Sequence, residues 1–409
     1  MSITTTAAVD ASPLTGPAAA AVERIEAVSA TLVELSHKLH DDPEIAFEEH
    51  RAAANVAEVL RQAGFDVTVG AYGLETAVEA TFGTGELRVV VCAEYDALPG
   101  IGHACGHNII AAAGVGAALG LAEVADELGL TVVLLGTPAE EHGGGKALQL
   151  EAGAWDDAAL SVMVHPMPGK DIYCDGFTSQ AVDRIRVTYK GKAAHAAAAP
   201  HAGINAADAA TVATVGIGLL RQQLAEQVRM AAIVTHGGAV TNIIPDHTTV
   251  EAEVRAFDLD TLEDAKQRML ACFEAGAIAA GCTWDHEQIQ PRYENLIQHQ
   301  DLARFWNDNL RRLGRELITV DNPGGGSTDM GNVSQYVPSV HPGIAVLGAV
   351  NPPHTVGFAA EASSEAGDQA ALDAAKALSL TVIDAASNPL VRAELLAQQA
   401  LRLPYSSKK

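Results

Sequence analysis

The sequence predicts an α/β protein: a mostly parallel, helix-flanked sheet domain interrupted by a smaller ferredoxin-like α+β domain. Three observations predict it. Short apolar runs alternate with helical stretches up to residue 181 and again from residue 291, the pattern of a sheet covered by helices. Between residues 182 and 290 the signals follow the order β-α-β-β-α-β, the split unit of ferredoxin-like domains. Three successive strand-like runs in the first part each end in residues able to ligate a metal, and active sites of α/β sheets lie at such strand ends.

Taken in order, Val22, Ile25, Val28, Leu32, Leu35 and Leu39 recur at helical spacing, which predicts a helix over Ala20–Leu39. The stretch before it, residues 1–19, is rich in Ala, Thr and Pro and reads as a disordered lead-in. It lacks the basic start and apolar stretch of a signal peptide. His40-Asp41-Asp42-Pro43-Glu44 stops the helix, and a second runs from Glu48 to Gln62. Strands are predicted at Asp66–Val69, Thr76–Thr81 and Leu87–Ala93, and an Ala/Gly-rich helix at Ile109–Leu128. A strand at Leu130–Leu135, a short helix at Lys146–Glu151 and a strand at Leu160–Val164 follow.

The interrupting domain is predicted from strands at Val182–Tyr189, Ala232–Thr235, His247–Phe257 and Thr283–Ile289. Its helices are expected at Ile204–Leu224 and Leu262–Ala280. The first pattern then resumes with a helix at Leu302–Leu313, a strand at Ile344–Leu347 and a final helix at Glu361–Ala385. The expected domains are therefore 1–181 and 291–409 for the sheet and 182–290 for the insert.

The 409 residues are 48% hydrophobic and 19% charged, as in soluble globular proteins. No apolar run approaches the ~20 residues of a membrane span. Five widely spaced cysteines argue against a disulfide framework and for a reducing, cytoplasmic compartment. A net charge of −25 argues against nucleic acid and anionic membranes as partners. An aromatic content of 4% offers no platform for stacking bases.

The chemistry concentrates at the strand ends. After Val89-Val90-Val91 the chain reaches Asp96 and then places His103, Cys105 and His107 within five residues. Alone, this is a Gly-rich turn with a buried cysteine. Glu140-Glu141 after the next strand and His165 after the third make it a candidate transition-metal site. Adjacent carboxylates at a strand exit diverge, so one can hold metal while the other faces a bound water. Metal-assisted hydrolysis needs both functions. The competing reading of Glu140-Glu141 is a solvated acidic loop in a chain with 51 acidic residues. His354 lies in the rigid turn Asn351-Pro352-Pro353-His354, a ligand or a surface histidine. Asp96 is either a carboxylate that orients a ligand or a turn former before Pro99.

A nucleotide-dependent oxidoreductase is the rival class. Gly100, Gly102 and Gly106, or Gly114, Gly116 and Gly120, resemble loose dinucleotide fingerprints. The first set stands away from its strand and the second lies inside a helix. Neither explains the histidines and the cysteine.

The series EYDALP, HACGHN, TPAEEHGGGK, MVHP, GKAAHAAAAP, TNIIPDHTTVEAEVRAF and PPHT, between about His37 and Ala370, resembles the aminoacylase-type family of dinuclear metallopeptidases. It is most similar to the branch of indole-acetyl-amino-acid hydrolases, aminobenzoyl-glutamate hydrolases and β-alanyl-lysine-type dipeptidases. The resemblance implies a zinc-exopeptidase-like catalytic domain and a lid domain that mediates homodimerisation. It implies two divalent metals per chain, zinc or manganese with cobalt or nickel as alternatives, on Cys105, His107, Glu141, His165 and His354. Glu140 is then the general base. His195, reaching across a dimer, stabilises the oxyanion with Asn242, and Asp96 supports the centre. Arg255, Gly326 and Ser327 are substrate-binding candidates, with Asp329 nearby.

The implied reaction is hydrolysis of the amide of an N-acyl amino acid or dipeptide beside a free carboxylate, with water activated by the metals. A subunit that needs a partner chain, as in aminobenzoyl-glutamate hydrolases, is the alternative within the branch. Two residues depart from the pattern. Asn108 replaces the usual Asp of HACGHD and points toward the dipeptidase-like subgroup. Glu94 stands where other members carry His or Asp and is a competing ligand.

Overall fold

The computed structural model describes residues 13–320 and 325–408. Of the expected disordered lead-in, residues 1–12 lie outside the described residues, and residues 17–19 are helical. Helix α1 (Pro17–Ala27) starts with a proline, whose fixed φ and missing N–H suit a first turn. The single helix expected over Ala20–Leu39 is two, because Val28 leaves helical geometry at φ −107°, ψ 10° before α2 (Ser29–Asp41). Then come α3 (His50–Gln62), β1 (Asp66–Val69), β2 (Val78–Phe82), β3 (Leu87–Glu94), α4 (His107–Glu123) and α5 (Ala125–Leu128). β4 (Leu130–Thr137), α6 (Gly145–Glu151), β5 (Leu160–Val162), β6 (His165–Gly169) and β7 (Asp171–Ile172) follow.

The chain continues through β8 (Ala181–Lys190), α7 (Ala206–Leu220), β9 (Arg229–His236), β10 (His247–Ala256), α8 (Leu259–Ala280) and β11 (Thr283–Gln288). It closes with α9 (Gln300–Arg312), β12 (Leu317–Ile318), α10 (Met330–Ser334), β13 (Ser339–Val340), β14 (Gly343–Leu347), α11 (Val356–Ala362), α12 (Glu365–Ser387) and α13 (Pro389–Leu401). The sequence reading passed over β6. Its Pro166 and Pro168 resemble a loop, yet prolines are tolerated where a strand pairs on one side, here with β14.

These elements form two compact units. One runs to Thr178, from Leu296, and again from Asn332; the other comprises Ser179–Asn295 with Gly325–Gly331. In the first, a six-stranded sheet has the order β1-β2-β4-β3-β5-β13. The pairings from β4 to β13 are parallel, and β1 and β2 join antiparallel. β3 and β4 are buried along nearly their whole length, as central parallel strands should be. Helix α4 is buried from His107 to Leu121 and carries no polar face, because α1, α2, α12 and the sheet surround it. Gly116 marks the closeness: a Cβ there would lie 2.8 Å from Leu32 and 2.7 Å from Ala375.

The second unit has a four-stranded antiparallel sheet in the order β11-β8-β10-β9. Helices α7 and α8 pack on one face, where Met269 and Phe273 of α8 share a core with Ile185, Val187, Val250 and Val254 of the strands. That is ferredoxin-like topology. Among the described residues no helix is long and apolar enough to cross a membrane.

Candidate metal centre

Sheet register brings the centre together. Glu94 ends β3 directly opposite Thr137 at the end of β4, and β5 runs parallel on the other side of β3. Three neighbouring parallel strands thus release Glu94-Tyr95-Asp96, Glu140-Glu141 and His165 beyond their C-terminal ends. The turn after β3 then enters α4 through Gly106, at φ 78°, which sets Cys105 and His107 side by side. A Cβ on Gly106 would lie 2.6 Å from Pro166, so this position combines a left-handed backbone with a close approach.

Three overlapping groups of potential ligands result: Cys105, His107 and His165; Cys105, Glu141 and His354; and Glu94, His107 and Glu140. Within each, one donor atom per residue lies within 4.8 Å of the others. Cys105 Sγ is 3.4 Å from His165 Nε2. His107 Nε2 is 3.4 Å from Glu94, 3.9 Å from Glu140 and 3.8 Å from Glu141. His354 Nε2 is 3.5 Å from Glu141 Oε1. The adjacent glutamates both reach His107 Nε2; Glu141 is also grouped with Cys105 and His354, and Glu140 with Glu94.

Supporting hydrogen bonds aim the imidazoles. His107 Nδ1 is 3.0 Å from Asp96 Oδ1, and Asp96 Oδ2 accepts the Glu141 amide N–H at 2.9 Å. His165 Nδ1 donates to the Pro166 carbonyl at 2.7 Å, leaving Nε2 for Cys105. His354 has φ 64°, and its N–H donates to the Ala104 carbonyl at 2.8 Å. A left-handed backbone in a residue other than glycine is strained and gathers at functional sites.

Burial sets the charges. It pulls His165 down to about 4, so that imidazole is neutral at neutral pH and its Nε2 lone pair is available. It raises the Cys105 thiol, as does the Glu141 charge; a bound cation would reverse this by favouring the thiolate. Burial opposes charge on both His107 and Asp96, but their mutual attraction outweighs it. His107 is held well above its usual range and Asp96 below its own.

The residues fit a metal. His107 Nε2, Glu141 Oε1 and Glu94 Oε2 are buried with no hydrogen-bond partner, although such atoms are normally satisfied. Thiolate, imidazole and carboxylate donors suit divalent transition metals.

Other expected residues lie elsewhere. His103 is buried and joins none of these groups. His195, Asn242, Arg255, Gly326 and Ser327 belong to the second unit. There the Ala196 amide donates to the Asn242 carbonyl at 3.0 Å and His195 bridges to Ile243, so His195 and Asn242 are neighbours, with Asn242 exposed. Arg255 donates to Ser327 Oγ at 3.1 Å and to Glu253 at 2.9 Å, so its charge is already partly matched.

Sequence reasoning missed two buried residues at the centre. Lys146 is fully buried and its ammonium pairs with Glu94 Oε1. His341 lies with its ring centroid 6.0 Å from that of His165. Lys146 follows three glycines and His341 sits in an apolar run, so neither had a local signal beyond its residue type.

Comparisons with known proteins identify the family. Residues 181–280 match the family described as the peptidase dimerisation domain. The chain is 38% identical to the mouse Xaa-Arg dipeptidase over 90% of its own length and 89% of that protein's. It is 31% identical to the N-acetyl-L-cysteine deacetylase of Bacillus subtilis, over 62% of this chain and 67% of that one. A Bacillus subtilis structure described as a dinuclear metal binding peptidase from the M20 family superposes with TM-score 0.64 at 20% identity. It covers 88% of this chain and 99% of that chain. With the strand-end cluster already in view, the relationship to the dipeptidase places the chain in peptidase family M20, the metal-dependent hydrolases of amide and peptide bonds.

Proposed function

We propose that this hydrolase is a two-metal dipeptidase cutting the amide beside a free carboxylate, with dipeptides carrying a basic C-terminal residue as preferred substrates. The observation that carries the reading is the pair of donor groups sharing Cys105, with Glu140 in a third group that shares His107. The name of the mouse relative supports the basic residue, and a net charge of −25 favours the approach of cationic substrates.

Cys105, His107, Glu141, His165 and His354 would hold the metals, with Glu94 beside them. Bound there, divalent ions supply Lewis acidity that polarises an amide carbonyl and makes water more acidic. Glu140 takes a proton from the attacking water and returns it to the leaving amine. Asp96 holds the His107 tautomer and the Glu141 backbone. From the family resemblance we assign oxyanion stabilisation to Asn242 and to His195 of a second copy, and carboxylate binding to Arg255 with Gly326 and Ser327. Zinc or manganese suits the donor set.

A homodimer is part of the proposal. Strand β9 is a sheet edge with Ile233 and Val234 exposed, and α7 exposes Val212, Val215 and Leu219 along one face. An open apolar edge calls for cover by another chain. All five cysteines are free, which supports a cytoplasmic setting.

The test is elemental analysis of protein purified without chelator, followed by an activity screen of the chain alone. Two metals per chain with hydrolysis of Xaa-Arg or Xaa-Lys dipeptides supports the reading. Absence of metal after reconstitution with zinc and manganese would overturn it. Activity confined to N-acyl amino acids would redirect the substrate assignment, and activity only with a second, different chain would favour the partner-chain alternative.

A further inference from the structure

The turn bearing Glu140 and Glu141 begins at Ala139, which is fully buried with φ 60°. An alanine there has its Cβ crowded against the backbone, at a cost of about 1–2 kcal/mol, and keeps this shape only where its surroundings impose it. Hydrogen bonds at its carbonyl and at its N–H do so. The Ala139 carbonyl accepts the Gly144 N–H at 2.9 Å, which closes the turn. The Ala139 N–H donates to Glu49 Oε1, also at 2.9 Å.

Glu49 comes from the start of α3, ninety residues away in sequence, and its side chain is wholly buried. Its other oxygen accepts the Thr76 hydroxyl at 2.8 Å. The Thr76 carbonyl in turn accepts the Tyr95 hydroxyl at 2.5 Å, and Tyr95 stands between Glu94 and Asp96. Glu49, Thr76 and Tyr95 therefore tie the exits of β3 and β4 together from behind, and Glu49 belongs to none of the ligand groups.

We propose that Glu49 is a positioning residue: its carboxylate holds the left-handed turn at Ala139 and so sets the direction of Glu140 and Glu141. The proposal rests on Glu140 as the general base and Glu141 as a ligand. What matters in Glu49 is reach and an acceptor oxygen at Ala139. Aspartate keeps the carboxyl group but is one methylene short. Glutamine keeps the length and the acceptor, and its amide donates to the Thr76 oxygen. These two substitutions separate placement from the ability to ionise.

The experiment compares Glu49→Asp and Glu49→Gln with wild type, and with Glu140→Gln in parallel. It measures kcat and KM of metal-saturated protein, metal retention against a competing chelator, and Tm. Glu49→Asp is expected to lower kcat 10–100-fold with KM within about threefold, and to weaken metal retention about tenfold, the scale of lost ligand-orienting contacts. Glu49→Gln is expected to stay within about threefold of wild type in both. A Glu49→Asp protein with a lower Tm but wild-type kcat and retention would make Glu49 a structural residue and overturn the proposal. Glutamine as damaging as aspartate would also overturn it. Wild-type turnover by Glu140→Gln would instead remove the base assignment, and metal retention would then decide the role of Glu49.

Discussion

His107 Nδ1 lies 3.0 Å from Asp96 Oδ1, both residues essentially out of solvent, and the same carboxylate accepts the Glu141 amide through its other oxygen. One side chain thus orients an imidazole and anchors the backbone of a carboxylate donor. Asparagine cannot replace it. Its amide has one acceptor oxygen, so an NH₂ must face either a ring N–H or a backbone N–H. Asp96→Asn is therefore expected to weaken metal binding 10–100-fold, as seen by chelator competition. Unchanged affinity would show that Asp96 is only a turn former.

Lys146 and Glu94 form an ion pair with no solvent exposure on either side. Removing one partner of such a pair leaves an uncompensated buried charge and costs about 3–5 kcal/mol. Lys146→Met is expected to destabilise the protein on that scale in denaturant unfolding. The double variant Glu94→Gln/Lys146→Met is expected to recover much of the loss, because the stranded charge is gone. Additive losses would contradict the pairing.

Gly106 separates two proposed ligands, with a left-handed backbone and no room beside Pro166. In Gly106→Ala the new methyl group must displace Pro166, which follows His165. The expected result is a loss of about 1–3 kcal/mol in stability together with weaker metal retention. A variant with wild-type Tm and metal content would show that this turn tolerates movement.

Burial and the Asp96 charge raise Glu49 to about 7 in the folded chain, above its ordinary carboxyl range. The folded state therefore binds more protons than the unfolded state between about pH 4.5 and 7. The stability that Glu49 contributes is full below that window and is lost as pH rises through about 7. Glu49→Gln is expected to flatten this part of the stability profile by about 1–3 kcal/mol, measured by unfolding at pH 5 and pH 7.5. Parallel profiles would show that Glu49 titrates normally.

Much of the fold was legible because its signals are local. The apolar runs of β3 and β4, the helical repeat of α3 and the β-α-β-β-α-β order each fall within a short window. Shorter elements escaped. β13 has two residues and forms only against β5, and β6 carries two prolines. The helix after Asn388 was also missed: α13 is capped by the Asn388 side chain, which accepts N–H groups from Leu390 and Val391. That cap chemistry is visible in Asn388-Pro389 and was passed over.

The sequence by itself determined which residue types stand at the ends of successive strands: Asp96, Cys105 and His107, then Glu140-Glu141, then His165. Hydrophobic periodicity locates strand ends, and the next few residues can be read directly. Tertiary structure alone decided which of them meet. Register set Glu94 opposite Thr137, His103 stayed outside the ligand groups, and Glu140 and Glu141 both came to lie beside His107. It also supplied the supports, Glu49 at Ala139, Lys146 at Glu94 and Asp96 at His107. A buried polar group needs a partner, but nothing in its neighbouring sequence states which distant residue will provide it.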